Sequence, residues 1–436
     1  MASRLIGRTL FTESGQQFTV ERLLGSGGQG EVYQVRVEDQ LMALKWYFPQ
    51  YIASDSGLRK RLEDAIRKGA PTDRFLWPLE LVEDPEKRTF GYLMPLRDPR
   101  FKSIAGMMRR HIEPSFRALC TAGFELAHNF LELHSKGLCY RDISHGNVFL
   151  DPDTGEICIC DNDNVDVTGK ADGGVFGTPR FMAPEIVRGE AYPSTETDLF
   201  SLAVLLFYMF FLHHPLEGRK EAEIHCFDLP AMKKLYGLEP VFIFDPQDNS
   251  NRPVPGLHDN AIIYWEIYPE FLRELFTRAF TDGLRDPEGR VRESEWRKAF
   301  VKLRDSIIYC SKCGAENFYD AEKLREGRSH LCWACNSEIR LPPRIRIGEA
   351  VVMLNHDTKL FPHHLGGELY NFDVPIAEVA QHPKQPDVWG LRNLSQDTWT
   401  VTRQDGTVLQ VCPGKSLTIT LGVEINFGRA KGEIRL

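Results

Sequence analysis

The chain has no basic surplus. Its 53 Lys and Arg face 61 Asp and Glu, a formal net charge of −8. A nucleic-acid binder carries a basic face, so nucleic acid is not an expected partner. Long hydrophobic runs are also missing. The longest, LAVLLFYMFFL at Leu202–Leu212, is about half of what a bilayer-crossing helix needs. It reads as a buried helix, and no membrane span is expected. The opening residues, MASRLIGRTLFT, lack the apolar core of about 7–15 residues that marks a secretory signal. There is no internal repeat and no low-complexity tract. Among ten cysteines, only four fall into C-x-x-C pairs. That pattern excludes a disulfide framework and implies a reducing, cytoplasmic setting with one metal site.

What remains is a 436-residue chain, 42% hydrophobic, long enough for two or three domains. Roughly the first hundred residues read as strands and turns with one helix. That helix lies in SDSGLRKRLEDAIRKGAP. Leu58, Leu62, Ala65 and Ile66 share a face, Ser54 to Ser56 can cap it, and Gly69 and Pro71 stop it. Residues ~115–305 are mostly helical, and from ~345 onward short strands take over. RLPPRIR at 340–346 reads as a joint between the last two regions.

The Gly-rich turn GSGGQGEV fits G-x-G-x-x-G-x-V, with Gly25, Gly27, Gly28, Gly30 and Val32. Glycines let backbone N–H groups approach phosphate oxygens without Cβ clashes. By itself such a turn is as compatible with a plain hairpin. A dinucleotide fold requires a helix after the glycines, whereas EVYQVRV alternates like a strand. Lys45 follows Gly30 by fifteen residues, in ALKWY. Its ammonium suits a phosphate and needs an acidic partner. Glu63, eighteen residues on, is the expected one, with Asp64 as rival.

In CYRDISHGNVFL, Asp142 is followed by Asn147, and Asp161 comes fourteen residues later in EICICDND. Asn147 and Asp161 offer the hard oxygen ligands that Mg²⁺ prefers. Asp142 is then free to orient or deprotonate a hydroxyl. GTPRFMAPE at 177–185, Asp198 and Arg290 follow.

Taken in order, these segments make residues ~15–305 resemble a eukaryotic-type protein kinase domain. The resemblance implies a bilobal fold, a smaller lobe to about residue 95 and a larger one from 96 to 305, with ATP between them. It implies that Lys45 contacts the phosphates and pairs with Glu63. Asp142 would be the catalytic base, and Asn147 and Asp161 would hold Mg²⁺. Val32, Ala43, Met94 and Leu96 would line the nucleotide pocket. Glu185 would pair with Arg290, and Asp198 would brace the catalytic loop.

Three departures stand out. Tyr140 replaces the usual His, Ser144 replaces a Lys that helps neutralise the γ-phosphate, and Asn162 replaces the Phe of the metal motif. A pseudokinase scaffold and a small-molecule phosphotransferase, whose relatives DISHGN resembles, are the alternatives. GTPRFMAPE, a peptide-binding ledge in protein kinases, favours a protein substrate, and Thr178 within it favours Ser/Thr. Arg141 makes activation-loop phosphorylation relevant, with Thr168 the candidate site.

Cys310-x-x-Cys313 and Cys332-x-x-Cys335 are eighteen residues apart. Two such knuckles complete a tetrahedron around one ion and leave no open position, so a structural Zn²⁺ in a four-cysteine ribbon over 306–341 is expected, with a four-thiolate iron site as the alternative. His213-His214 and His363-His364 read as packing residues rather than ligands.

Residues 342–436 show strands at sandwich spacing, similar in rhythm to forkhead-associated domains, though without their phosphothreonine-binding signature. The expected fold class is therefore multidomain α+β: a bilobal protein kinase fold over 1–305, then a zinc ribbon, then an all-β sandwich. FLWPLELV, YRDISHGNVF, ICDNDN, VFIFDPQDNSNRP and FTDGLRDPEGRV, with the ribbon and sandwich, resemble bacterial kinases of tellurite-resistance-associated phosphorylation triads. That resemblance implies a von Willebrand A-type protein as substrate and a metal-dependent protein phosphatase as second partner.

Overall fold

The computed structural model describes residues 5–84, 89–169, 177–367 and 370–436. The chain forms two compact units. One comprises Met1–Glu266 with Arg273–Lys298, the other Ile267–Leu272 with Ala299–Leu436.

The first unit has a smaller, sheet-based lobe and a larger, mostly helical one, as expected. The smaller lobe is a six-stranded antiparallel sheet of β1 (Thr9–Phe11), β2 (Gln17–Ser26), β3 (Gly30–Val37), β4 (Gln40–Tyr47), β5 (Glu80–Asp84) and β6 (Thr89–Pro95), in the order β1-β2-β3-β4-β6-β5. Strand β4 lies between β3 and β6, with Lys45 opposite Val32 on one side and Tyr92 on the other. Two glycines permit this packing. A Cβ on Gly30 would sit 2.1 Å from the Trp46 carbonyl oxygen, and one on Gly91 would sit 2.2 Å from that of Lys45.

Helices α1 (Pro49–Ser54) and α2 (Leu58–Lys68) follow β4. The expected serine cap of α2 is not used. Gly57 holds the N-cap position without a side-chain bond, and the Ser54 hydroxyl donates to Tyr51 O at the end of α1. Gly69, at φ 71°, ends α2 where expected. Leu58 and Leu62 pack with Ala43, Tyr47, Leu81, Tyr92 and Met94 in one apolar cluster. Truncating a buried Leu costs about 2–5 kcal/mol, so this face dictates how α2 sits on the sheet.

The larger lobe is built on the helices Phe116–Ser135 and Thr195–Phe211. The second carries the expected buried run, and every residue from Leu202 to Phe211 is buried. Ser194 caps it reciprocally with Thr197, and Leu212, at φ 49°, ends it. Among the described residues, no helix is long and apolar enough to cross a membrane. Strands Lys102–Ser103, Val148–Leu150 and Ile157–Ile159 form a small sheet. The last two present the loops bearing Asp142–Asn147 and Asp161.

In the second unit, strands Ile307–Tyr309 and Glu316–Phe318 pair beside the cysteines. A six-stranded and a four-stranded antiparallel sheet follow, sharing a core that includes Ile345, Leu360, Leu391, Trp399, Val401, Ile425 and Ile434. The joint expected at 340–346 is half strand. Arg344–Ile347 pairs with both Ala350–Met353 and Lys431–Arg435, because Ile345 and Ile347 alternate inward. The ribbon is continuous with this region. Ile308, Cys310, Cys332 and Ile339 pack against Met353, and Asn355 Nδ2 donates to Ile307 O at 2.7 Å.

Candidate active site

Asp198 organises the loop that carries Asp142. Its carboxylate is 1% exposed as a residue and accepts from the backbone N–H groups of Tyr140 and Arg141, the latter at 3.0 Å. Two charge-assisted bonds hold the loop's entry rigid. His134 reaches the same carboxylate through Nε2 at 3.1 Å and meets Glu293 through Nδ1. Burial opposes its protonation, but the two carboxylates outweigh burial and raise its pKa to about 9. Tyr140 packs edge-on against Phe130 and donates its hydroxyl to Cys160 O. The phenol thus ties the catalytic loop to the strand that delivers Asp161. Glu185 and Arg290 form the expected ion pair at 2.8 Å, with Arg290 also donating to Glu196 O and Gly283 O.

Asp142 is fixed from two directions. Thr178 Oγ1 donates to Asp142 Oδ1 at 2.7 Å, and Asn147 Nδ2 donates to Oδ2 at 3.0 Å and to the backbone carbonyl at 2.9 Å. Burial pushes the carboxyl's pKa up, the Thr178 and Asn147 bonds oppose this, and the nearby Asp161 charge reinforces it. With Nδ2 committed, Asn147 has its carboxamide oxygen left for a cation. Asp161 adopts a left-handed conformation, φ 53° and ψ 47°, and keeps 39% of its side chain exposed. Asn147 and Asp161 therefore fit a hydrated Mg²⁺, which requires oxygen ligands and room for water.

Lys45 is 4% exposed. Its ammonium donates to Gln29 Oε1 at 2.8 Å, to Asp161 Oδ1 at 3.2 Å and to Asp163 at 2.8 and 3.0 Å. The expected partner Glu63 is elsewhere. It is paired with Arg59 at 2.8 Å, its side chain 49% exposed, and Arg59 also binds Glu13 and Glu83. Asp64 pairs with Arg67. The reason lies in α2, whose inward face is apolar. At about 100° per residue, Glu63 is turned well away from Leu58 and Leu62.

Gly25, Gly27 and Gly28 occupy the open hairpin tip, with nothing within 4 Å of a Cβ position. Gly30 instead opens β3 and serves strand packing, as its contact with Trp46 requires. Val32, Ala43, Met94 and Leu96 join one apolar cluster beside Lys45. Arg141 is committed to Asp166, a buried ion pair at 3.1 Å, and the Thr168 hydroxyl accepts from Thr195 N.

A protein kinase domain model matches residues 18–262. The chain belongs to the protein kinase family. The kinase is similar to protein kinase C delta type of Mus musculus, 30% identical over 220 residues, covering 48% of this chain and 31% of that protein. It is similar to the Rattus norvegicus protein of the same name, 29% identical over 219 residues with the same coverage. Protein kinase C-like 2 of Schizosaccharomyces pombe is 29% identical over 226 residues, 48% of this chain and 21% of that protein. The kinase spans about a third or less of the length of these curated relatives.

Gln29, Tyr47 and Asp163 join the kinase's site without having been singled out in the sequence. Asp163 carried a signal, an acidic residue two positions after the metal-motif Asp. Tyr47 carried another, a strand residue on the same side as Lys45.

The four cysteines converge in the second unit, their sulfurs all within 4.8 Å of one another. Sγ–Sγ distances are 3.6 Å for Cys310–Cys335 and for Cys313–Cys332. A tetrahedral Zn²⁺ with bonds of ~2.3 Å separates its sulfurs by about 3.8 Å, so the cluster fits the ion. Each knuckle closes through a left-handed residue, Gly314 at φ 76° and Asn336 at φ 55°. Asn317 Nδ2 lies 3.6 Å from Cys332 Sγ and directs a donor at it. The histidine pairs are packing residues. His214 is bonded to Arg180 O and Leu216 N, and His364 to Phe361 N and Asp305.

Proposed function

We propose that this kinase is an ATP- and Mg²⁺-dependent enzyme that phosphorylates Ser or Thr on a protein partner in the cytoplasm. The observation that carries the reading is the Asp142 carboxylate, held by Thr178 and Asn147 beside Asp161 and Lys45. Asp142 orients the acceptor hydroxyl and takes its proton. Lys45 offers its ammonium to phosphate oxygens. Asn147 and Asp161 hold the metal, and bound Mg²⁺ supplies charge neutralisation for the transferring phosphoryl group. Ser144 is buried and accepts from Gly146 N at 3.3 Å, so it brings no cation to replace the missing Lys, and a slow transfer step is expected.

The Ser/Thr assignment is supported by Thr178 on Asp142 and by the likeness to protein kinase C. The motif combination described above supports a place in a bacterial triad, with a von Willebrand A-type protein as substrate and a metal-dependent phosphatase as counterpart. The ribbon would hold structural Zn²⁺, and the β-sandwich, forkhead-associated-like in rhythm, is the module proposed to bind that partner or the kinase domain itself.

The test is incubation with Mg²⁺ and γ-labelled ATP, with and without the von Willebrand A-type protein, beside Asp142→Ala and Asp161→Ala. Label on protein Ser or Thr with the wild type alone supports the reading. Nucleotide binding without transfer moves it to a pseudokinase scaffold, and label on a soluble acceptor moves it to a small-molecule phosphotransferase.

A further inference from the structure

In this kinase the phosphate-binding lysine is served by an unforeseen carboxylate. Lys45 and Asp163 are both buried, and Asp163 has no exposed side-chain surface. Both Asp163 oxygens face the ammonium, while Asp161 offers one oxygen at the longer 3.2 Å. Tyr47, on the same strand as Lys45, donates its hydroxyl to Asp163 Oδ2, the oxygen that also makes the shorter bond to the ammonium. Asn162, between the two acids, is fully buried and donates Nδ2 to Leu76 O and Ile159 O at 2.8 and 3.0 Å. That amide locks the Asp-Asn-Asp turn against backbone of both lobes. On α2, the residues turned toward the cluster around Ala43 and Tyr47 are Leu58 and Leu62, which cannot anchor a cation.

We propose that Asp163 is the positioning residue that holds the Lys45 ammonium for phosphate contact, in place of an acidic residue on α2. This rests on the kinase reading above. The division of labour follows from exposure. Asp161 is open to the cleft and can exchange Lys45 for a hydrated cation. Asp163 has no surface to offer a cation and stays with Lys45 throughout. One three-residue turn therefore carries both the metal ligand and the lysine anchor, and the engagement of Lys45 does not depend on the carboxylates of α2.

The experiment uses the full chain and titrates a fluorescent ATP analogue with Mg²⁺, alongside kcat and KM for ATP and the melting temperature. Variants are Asp163→Asn, Lys45→Met, their double variant, and Glu63→Gln with Asp64→Asn. Removing one charge-assisted bond predicts that Asp163→Asn weakens nucleotide binding about tenfold or more. The double variant is expected to bind no worse than Lys45→Met alone. It is also expected to regain melting temperature lost in Lys45→Met, because the stranded buried carboxylate is gone. A merely structural role for Asp163 would instead give additive losses. Glu63→Gln with Asp64→Asn is expected to match the wild type.

Wild-type affinity in Asp163→Asn, additive losses in the cycle, or a comparable loss in the α2 variant would each overturn the assignment. If Asp163→Asn does not fold, the α2 variant still decides: retained affinity supports the assignment, and loss refutes it. Absence of nucleotide binding by the wild type is the separate result that brings down the kinase reading and this inference with it.

Discussion

The two walls of the cleft are anchored by different logic. On the wall that carries Asp142, Asp198 and the Glu185–Arg290 pair have the partners expected of them, and Asp142 and Asn147 are bonded to each other. On the Lys45 wall, the strand is where it was expected but the counter-charge is not. The first wall is held by buried bonds between residues that each sit in a contiguous motif, although Asp198 lies 57 residues from Arg141 and Arg290 lies 105 from Glu185. The second depends on which face a separate helix turns inward, and packing decides that. Apolar burial on α2 is worth several kcal/mol, through Leu58 and Leu62. An exposed pair such as Glu63–Arg59 is worth ~0–1 kcal/mol. Burial wins, and the acid faces outward.

The largest effect that would break this contrast is on the first wall. Asp142→Ala is expected to lower the rate of transfer by about 10²–10⁴-fold with little change in nucleotide affinity, checked by kcat against binding. If affinity falls as far as kcat, the two walls are not separable.

Next comes the charge network beneath the loop. His134 is held protonated by Asp198 and Glu293, with its pKa raised to about 9 from 6.5. The folded state keeps that proton more tightly than the unfolded chain. Its contribution is therefore full below about pH 6.5 and is lost as pH rises through about 9, on the order of 3 kcal/mol in all. Urea midpoints between pH 6 and 9.5 should show this slope, and His134→Gln should remove it. A slope that persists in the variant would assign it to another group.

A smaller effect sharpens the picture at Asp142. Thr178→Val removes one hydrogen bond and is expected to cost about 1 kcal/mol of transition-state stabilisation, roughly fivefold in kcat/KM. The smallest concerns regulation. Because Arg141 already has Asp166 as its buried partner, Thr168→Ala should leave kcat within about twofold of the wild type and stability within ~0.5 kcal/mol. A large loss there would mean that phosphorylated Thr168 competes for Arg141.

Much of the larger lobe was legible because its motifs are contiguous. CYRDISHGNVFL alone carries Asp142, Asn147 that bonds to it and the backbone N–H groups that Asp198 holds, and the run Leu202–Leu212 announces the buried helix. The cysteine pairs were equally plain, since metal geometry dictates spacing. Glu63 misled because a count along the chain was used where orientation mattered, although the apolar face Leu58, Leu62, Ala65 and Ile66 already pointed elsewhere. Asp163 was obscured by its place in a motif read for its first residue. In the β region, Arg344–Ile347 was hidden by the prolines before it and by its short alternation. Lys431–Arg435, with a glycine and three charged residues, has little strand character until Ile434 meets Ile345 across the sheet.

The close approach of Gly30 and Gly91 to β4 bears on which ligands the cleft tolerates. With backbones in contact on both sides, β3, β4 and β6 form a block with no slack at Lys45. Adjustment to a phosphate chain of different length falls to the open tip at Gly25–Gly28. Analogues altered at the terminal phosphates are thus expected to be accommodated more readily than those enlarged at the base, where Val32, Ala43 and Met94 are backed by the same rigid strands.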